Sequence, residues 1–442
     1  MVIHSGVSKE LRLGGVTVPG FRVAARIRTS NFPSQASGIT LVTQLSTDRL
    51  AKLQEQCMSW SGLTSAALYC PVAKGRLRRD AVRRCADEAR AVVSAMERRG
   101  RGALQIAIVV ETVALVELSQ ASIRYPVNAL RNVALAEART DLVLLLDVDF
   151  ILSSSASRNF SLDSRLQQMY RSCCLNKEIL VLPAFQARSC ETALASAQAD
   201  KFEVVKLFED GTIEQFAKRE FDKGHRATNY ERWKQARSEY ALQYEEGFEP
   251  FVVAARALIP WYNPIFRGYG RNKVIHIFHC AAFGMAFYAL ADAWVIHSPH
   301  EPSAAFKATF GKGEEREIKL FENIMSLYNE SKSEILASPA AASAAYGLHV
   351  APGWWRRRDL LGGWMGMEGK EVPKTLRGTT DLVQRRFLRN LHEHKFSFRQ
   401  PKLRRILHLE SGSVYGQDVG PTLCTTLTAD RLSRLLLQVR YF

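Results

Sequence analysis

Asp147 and Asp149, separated only by Val148, close the apolar run 143–146, and far along the chain His297 closes another at 294–296. Carboxylates with an imidazole are a ligand set for a divalent cation that prefers oxygen and tolerates nitrogen. An Asp-x-Asp triplet alone arises often by chance and commonly opens a solvated turn, so its surroundings decide. The run before it is too short for a helix and has no polar interruption, which reads as a parallel strand buried on both faces. Acids at the carboxyl end of such a strand lie where open α/β sheets bind ligands.

The segment just upstream points to the same place. Pro126 suits the first turn of a helix, and Val127, Leu130, Val133, Ala134 and Ala138 keep helical spacing for burial. Asn128, Arg131 and Asn132 then share the other face, at i, i+3 and i+4. A cation and two amides are thereby directed to the side of the sheet where the acids emerge, which suits an anionic ligand held partly through a metal. A nucleotide-sugar donor is such a ligand: its departing diphosphate leaves negative charge that a divalent cation stabilises. Asp149 and His297 are suited to hold that cation, and Asp147 either shares it or accepts a hydrogen bond from the ribose.

The elements that must position these residues alternate along the chain. Apolar "ITLVTQ" (39–44) reads as a strand, followed by Ser46 as a helix cap with Leu50, Leu53 and Cys57 at helical spacing. "TSAALYC" (64–70) is a second strand, a basic helix spans about 78–99, and "ALQIAIVV" (103–110) is a third strand. "EILVLPAFQ" (178–186) supplies another after the acid-ended strand. Strands alternating with helices predict an α/β fold with a mostly parallel central sheet and helices on both faces. Residues 1–37 show little periodicity and read as a loose N-terminal arm. Residues 38–190 form the expected nucleotide-binding half, 191–345, rich in aromatic and polar residues, the expected acceptor-side half, and 346–442 a basic C-terminal extension of poorly defined structure.

The composition is that of a globular protein, with 47% hydrophobic and 24% charged residues. Its net charge of +16 first suggests nucleic acid, an anionic membrane or acidic small ligands. The charge is uneven: residues 351–442 carry 17 Lys and Arg against 8 Asp and Glu. A nucleic-acid reading lacks a base-stacking motif or a helix-turn-helix pattern. No window reaches the roughly 20 apolar residues of a membrane span, and the N-terminus shows no apolar signal core. Eight cysteines without a CxxC pair argue against a zinc site and for buried free thiols.

In order and spacing, "TLVTQLSTDRL", "YPVNALRNVAL", "LLLDVDFI", "LVLPAFQ", "GHRATNYERW", "GFEPFVVAAR", "RGYGRNKVIHI" and "VIHSPHEPS" resemble the glucuronyltransferase domain of LARGE-type glycosyltransferases over about residues 39–310. The single-domain β-1,4-glucuronyltransferases are a more distant match. The resemblance implies a GT-A-type fold, an inverting mechanism, UDP-glucuronic acid as donor, Mn²⁺, a xylose-containing glycan or glycoprotein acceptor, and the Golgi lumen. On that analogy Asp147 and Asp149 form the metal motif with His297, Asn128 and Arg131 contact the donor, Gln44 lies at the uridine, and Lys307 reaches toward the diphosphate.

An inverting transfer needs a carboxylate to take the acceptor proton. Some relatives place that acid just after a Gly-aromatic-Gly turn, but here Gly268-Tyr269-Gly270 is followed by Asn272 and Lys273. Glu249 of "GFEPF", on the acceptor side by resemblance, is therefore the expected base, with Glu245, Glu246 and Asp292 in reserve. The xylosyltransferase domain that precedes this one in LARGE proteins, and the family's N-terminal membrane anchor, have no counterpart before residue 39. The alternative is a catalytically silent nucleotide-sugar or glycan-binding member of the same fold.

Overall fold

The computed structural model describes residues 21–73, 78–100, 102–311 and 318–347, with the backbone of 12–13 and 16–17. The strands run β1 (Arg12–Leu13), β2 (Val16–Thr17), β3 (Phe21–Arg28), β4 (Ile39–Ser46), β5 (Leu63–Ala73), β6 (Ala103–Val113), β7 (Leu142–Leu145) and β8 (Phe150–Leu152). They continue as β9 (Glu178–Leu182), β10 (Ala184–Ala187), β11 (Ile213–Gln215), β12 (Tyr240–Leu242), β13 (Phe251–Ala255), β14 (Ala286–Ala289) and β15 (Val295–His297). Among the described residues, nine strands form one sheet in the order β12-β14-β9-β13-β7-β4-β5-β6-β3, and four form a second, β11-β10-β15-β8.

The parallel heart of the large sheet is β7-β4-β5-β6, as the unbroken apolar runs require. Alternate residues of its strands face two helical layers. Leu50 and Leu53 of α1 (Leu50–Ser59) and Ala89, Val92 and Met96 of α2 (Arg78–Arg99) pack with Leu45, Leu68, Ile106 and Ile108. On the opposite face, Leu130 and Val133 of α3 (Val127–Ala136) cover Val42, Ala67, Ala107 and Val143. The α/β fold with helices on both faces is thus as expected. Antiparallel β3 and β13 extend the sheet beyond its parallel core.

Two local features depart from the sequence reading. The segment 178–186 is two strands, because Pro183 offers no amide to continue a ladder; β9 stays in the large sheet while β10 joins the small one. The arm expected over 1–37 contains β3, an edge strand paired antiparallel with β6. A register shift between Val23 and Ala25 breaks its alternation, so that Phe21 and Ile27 join clusters on opposite faces of the sheet, and Arg26 bonds Glu137 at 2.6 Å; the strand therefore shows no steady period in its sequence.

The chain then folds back over α3. After α4 (Ser154–Asn159), α5 (Asp163–Tyr170), α6 (Cys190–Gln198), α7 (Lys201–Glu209) and α8 (Tyr230–Gln235), helix α9 (Asn272–Ala282) packs beside α3, with Ile277 and Cys280 in the same apolar cluster. The helices α10 (Ala304–Phe310), α11 (Ile318–Ala337) and α12 (Pro339–Gly347) follow. No helix among the described residues is long and apolar enough to cross a membrane. The extension expected over 346–442 lies outside the described residues from 348 onward.

Candidate active site

Strand register brings the two distant tips together. β15 pairs antiparallel with β8, so that His297 stands opposite Phe150, beside Asp149. The imidazole Nε2 of His297 lies 3.6 Å from Asp149 Oδ2, and that of His300 lies 2.7 Å from the same oxygen. Ligand atoms of Asp149, His297 and His300 all fall within 4.8 Å of one another. Asp149 Oδ1 is buried with no protein partner among the described residues. A buried carboxylate oxygen left unbonded is costly unless something else meets it. One carboxylate and two imidazoles within 4.8 Å of one another are a ligand set that could hold a divalent transition-metal cation. Burial disfavours the charged form of Asp149, yet the neighbouring imidazoles of His297 and His300 hold its carboxyl well below the usual range.

Asp147 has different company. Its Oδ1 accepts from Arg131 Nη2 at 2.7 Å and its Oδ2 from Lys273 Nζ at 3.2 Å, while Gln56 Nε2 donates to its backbone oxygen at 2.8 Å. Burial opposes its ionisation, and the two cations more than offset that, keeping the acid below its ordinary range. The acids of the triplet are thereby divided, Asp149 to the imidazoles and Asp147 to the cations.

The polar face of α3 is divided between Asp147 and a returning stretch of backbone. Arg131 faces Asp147, while Asn132 donates to Tyr262 O at 2.8 Å and accepts from Tyr262 N at 3.0 Å. Asn128 is fully buried, donating to Asn263 O at 3.0 Å and accepting from Arg131 Nη1 at 3.1 Å. The two amides clamp the returning segment and fix Arg131. Gln44 and Thr43 of β4, Arg131, Asp147, Tyr262 and Lys273 line one cavity, and Tyr125 donates its hydroxyl proton to Gln44 Oε1.

Lys273 reaches this cavity because of the turn before it. Gly268 and Gly270 take φ of +74° and +114° and Arg271 a φ of +56°, conformations that favour glycine. A Cβ on Gly268 would lie 2.8 Å from Ile123 O. The turn starts α9 so that Lys273, in its first turn, sits 3.8 Å above the Phe251 ring with its ammonium on Asp147.

Glu249 precedes β13 and is tied by its amide to Gly224 O at 2.9 Å. A side chain at residue 224 would crowd it, since a Cβ there falls 3.2 Å from Glu249 Cγ. Burial pushes its carboxyl above the ordinary value, aided by the charge of Asp147 and opposed by Lys273, Arg131 and Arg271. The reserve acids lie in other company: Glu245 pairs with Arg226 at 2.8 Å, Glu246 with Lys332 at 2.7 Å, and Asp292 with Arg165 at 3.1 Å. Lys307 is exposed on α10.

Three residues of this region escaped the sequence reading. His300 lies three residues past the strand, and the signal was the second histidine of "HSPH". Lys273 was noted only for standing where an acid was sought. His225 is 1% exposed, both its ring nitrogens lack a protein partner among the described residues, and its ring lies between Phe216 and Phe251. Its burial pushes the imidazole well below its usual range, toward the neutral form.

The chain is similar to known proteins over most of its described length. The family model described as glycosyl-transferase for dystroglycan matches residues 38–332. The mouse xylosyl- and glucuronyltransferase LARGE2 is 34% identical over 278 residues, covering 61% of this chain and 36% of that protein. Human LARGE2 is 35% identical over 274 residues, with 61% and 34% covered, and human LARGE1 is 31% identical over 270 residues, with 61% and 32% covered. The match therefore spans about a third of the length of these relatives. A solved structure of S. aureus TarS 1-349 with UDP-GlcNAc aligns at 10% identity with a TM-score of 0.31, covering 70% of this chain and 73% of that one.

Proposed function

The chain belongs to the family described as glycosyl-transferase for dystroglycan, and from that premise we propose that it is a metal-dependent inverting glycosyltransferase. It moves a sugar, glucuronic acid by kinship, from UDP to a hydroxyl of a glycan or glycoprotein acceptor. The observation that carries this reading is the convergence of Asp149, His297 and His300, whose ligand atoms lie within 4.8 Å of one another, together with the second oxygen of Asp149, Oδ1, which is buried and has no partner among the described residues.

Asp149, His297 and His300 are the residues that would hold Mn²⁺. A divalent cation bound there supplies positive charge against the leaving diphosphate. Arg131 and Lys273, fixed by Asp147, add two positive charges at the neighbouring cavity and orient the donor. Gln44, in the lining of that cavity, meets the uridine. Asn128 acts through Arg131, and Lys307 is taken as an outer contact of the diphosphate. Glu249, with its carboxyl raised by burial, accepts the proton of the acceptor hydroxyl as that oxygen attacks the anomeric carbon from the side opposite UDP. In this reading 38–190 is the donor half, 191–345 the acceptor half, and the protein works in the Golgi lumen.

The test is a donor screen with Mn²⁺ and a xylose-ended acceptor, scored by released UDP across UDP-glucuronic acid, UDP-xylose, UDP-galactose and UDP-N-acetylglucosamine. Turnover of UDP-glucuronic acid above the others is expected. Tight UDP binding without turnover of any donor identifies a silent nucleotide-sugar-binding member instead.

A further inference from the structure

Outside the active site, one pair of side chains is placed for chemistry that the transfer reaction does not use. Cys70 on β5 and Cys85 on α2 hold their sulfurs 2.9 Å apart. Cys70 is 1% exposed and belongs to the apolar cluster between sheet and helix, with Cys85 packed partly buried against it. Two thiols that close either share a proton or stand on the way to a covalent bond.

We propose that Cys70 and Cys85 form a structural disulfide that staples α2 to β5 when the protein meets an oxidising thiol–disulfide pool. An S–S bond of about 2.0 Å requires the sulfurs to approach by less than about 1 Å. The partner reagent is a low-molecular-weight disulfide. The Cys85 thiolate attacks one of its sulfurs and expels one thiolate, leaving a mixed disulfide on Cys85. Cys70 then loses its proton and attacks Cys85 Sγ, expelling the second thiolate. The protein is oxidised by two electrons and the reagent is reduced to two thiols. The order of steps follows from the surroundings. The hydrogen bond with Cys70 lowers the Cys85 thiol and the same contact raises that of Cys70, so the more accessible sulfur is the better nucleophile.

The location gives the bond a purpose. Tyr69, adjacent to Cys70, donates to Glu111 at 2.6 Å, and Glu111 holds both terminal nitrogens of Arg267 at 2.8 Å. Arg267 leads directly into the glycine turn that starts α9. A covalent tie at Cys70 fixes the outer end of β5, from which this chain of contacts sets out.

The full chain is equilibrated with oxidised glutathione, alkylated under denaturing conditions and digested with trypsin. The expected product joins peptide 53–74 to peptide 85–90, lighter than their sum by two hydrogen atoms, with fragmentation placing the link on Cys70 and not on Cys57. Thermal unfolding of the oxidised protein should occur several degrees above that of the dithiothreitol-treated one, and Cys85→Ser should remove this difference. Recovery of both cysteines as alkylated thiols, a link from Cys57, or glutathione persisting on Cys85 would each overturn the assignment. A correct cross-link that leaves the melting temperature unmoved would overturn its role as a staple.

Discussion

Replacing Glu249 with glutamine keeps the shape of the side chain and removes its ability to take a proton. General-base assistance is worth about 10²–10⁴-fold, or about 3–5.5 kcal/mol of barrier, so kcat for UDP release should fall by that factor. Arg131, Lys273 and Asp147 are untouched, so UDP affinity measured by calorimetry with Mn²⁺ should change by less than about twofold. The ionisation adds two signatures. Burial holds the carboxyl above its ordinary 4.5, so the acidic limb of kcat/KM should lie above that value in the wild type and vanish in the variant. The sign for stability follows: a folded value raised above the unfolded one means the buried carboxylate costs stability near neutrality, and protonation relieves the cost as pH falls through the folded value. Glu249→Gln should therefore be at least as stable as the wild type at neutral pH. A variant keeping more than about a tenth of the wild-type kcat, or an unmoved acidic limb, refutes Glu249 as the base.

Asp149→Asn should weaken Mn²⁺ binding, followed by electron paramagnetic resonance, by at least about 100-fold, since outer-shell partners alone are worth 10–100-fold; His300→Ala tests the ligand that sequence reading missed, and wild-type Mn²⁺ affinity in either variant removes that residue from the set. Arg131→Met leaves a partly buried Asp147 with one cation and should lower stability by about 1–3 kcal/mol, read by denaturant unfolding. Because Asp147 is held below its ordinary 3.8, its contribution is present above that pH and fades as pH falls through the folded value, so the gap between wild type and variant must close in strong acid. Gly268→Ala forces an alanine to φ +74° with its Cβ 2.8 Å from Ile123 O and should cost about 1–3 kcal/mol, with UDP release falling as Lys273 shifts; an unstrained variant of full activity contradicts the account of that turn.

Much of this arrangement was legible because it depends on local patterns. The apolar runs of β4 to β7 are buried on both faces, so they announce a parallel sheet, and the 3–4 spacing on α3 announces which residues turn away from the apolar stripe. What sequence could not supply was the return of distant chain over the polar face of that helix. Asn128 and Asn132 read as ligand-facing amides, yet they bind the backbone of 262–263, a contact that spans more than a hundred residues. Lys273 carried the wrong charge for the acid being sought, and only the salt bridge to Asp147 gives it a role. His300 was hidden because periodicity stops at the strand end, and only the contact of its ring with Asp149 shows that the chain past Pro299 stays at the site. Pro183 was visible as a residue, but the passage of β10 into another sheet depends on which edge lay open.

That passage has a mechanical consequence. Asp147 hangs from the large sheet through β7, whereas Asp149 leads into β8 of the small sheet, so Val148 is a seam between two plates. The cationic pair stands on one plate and the imidazoles on the other. A pyrophosphate reaching both must hold the plates at a fixed tilt, so occupancy of the donor site should slow amide hydrogen exchange along the whole length of β8 and β15, beyond the ends that carry Asp149 and His297.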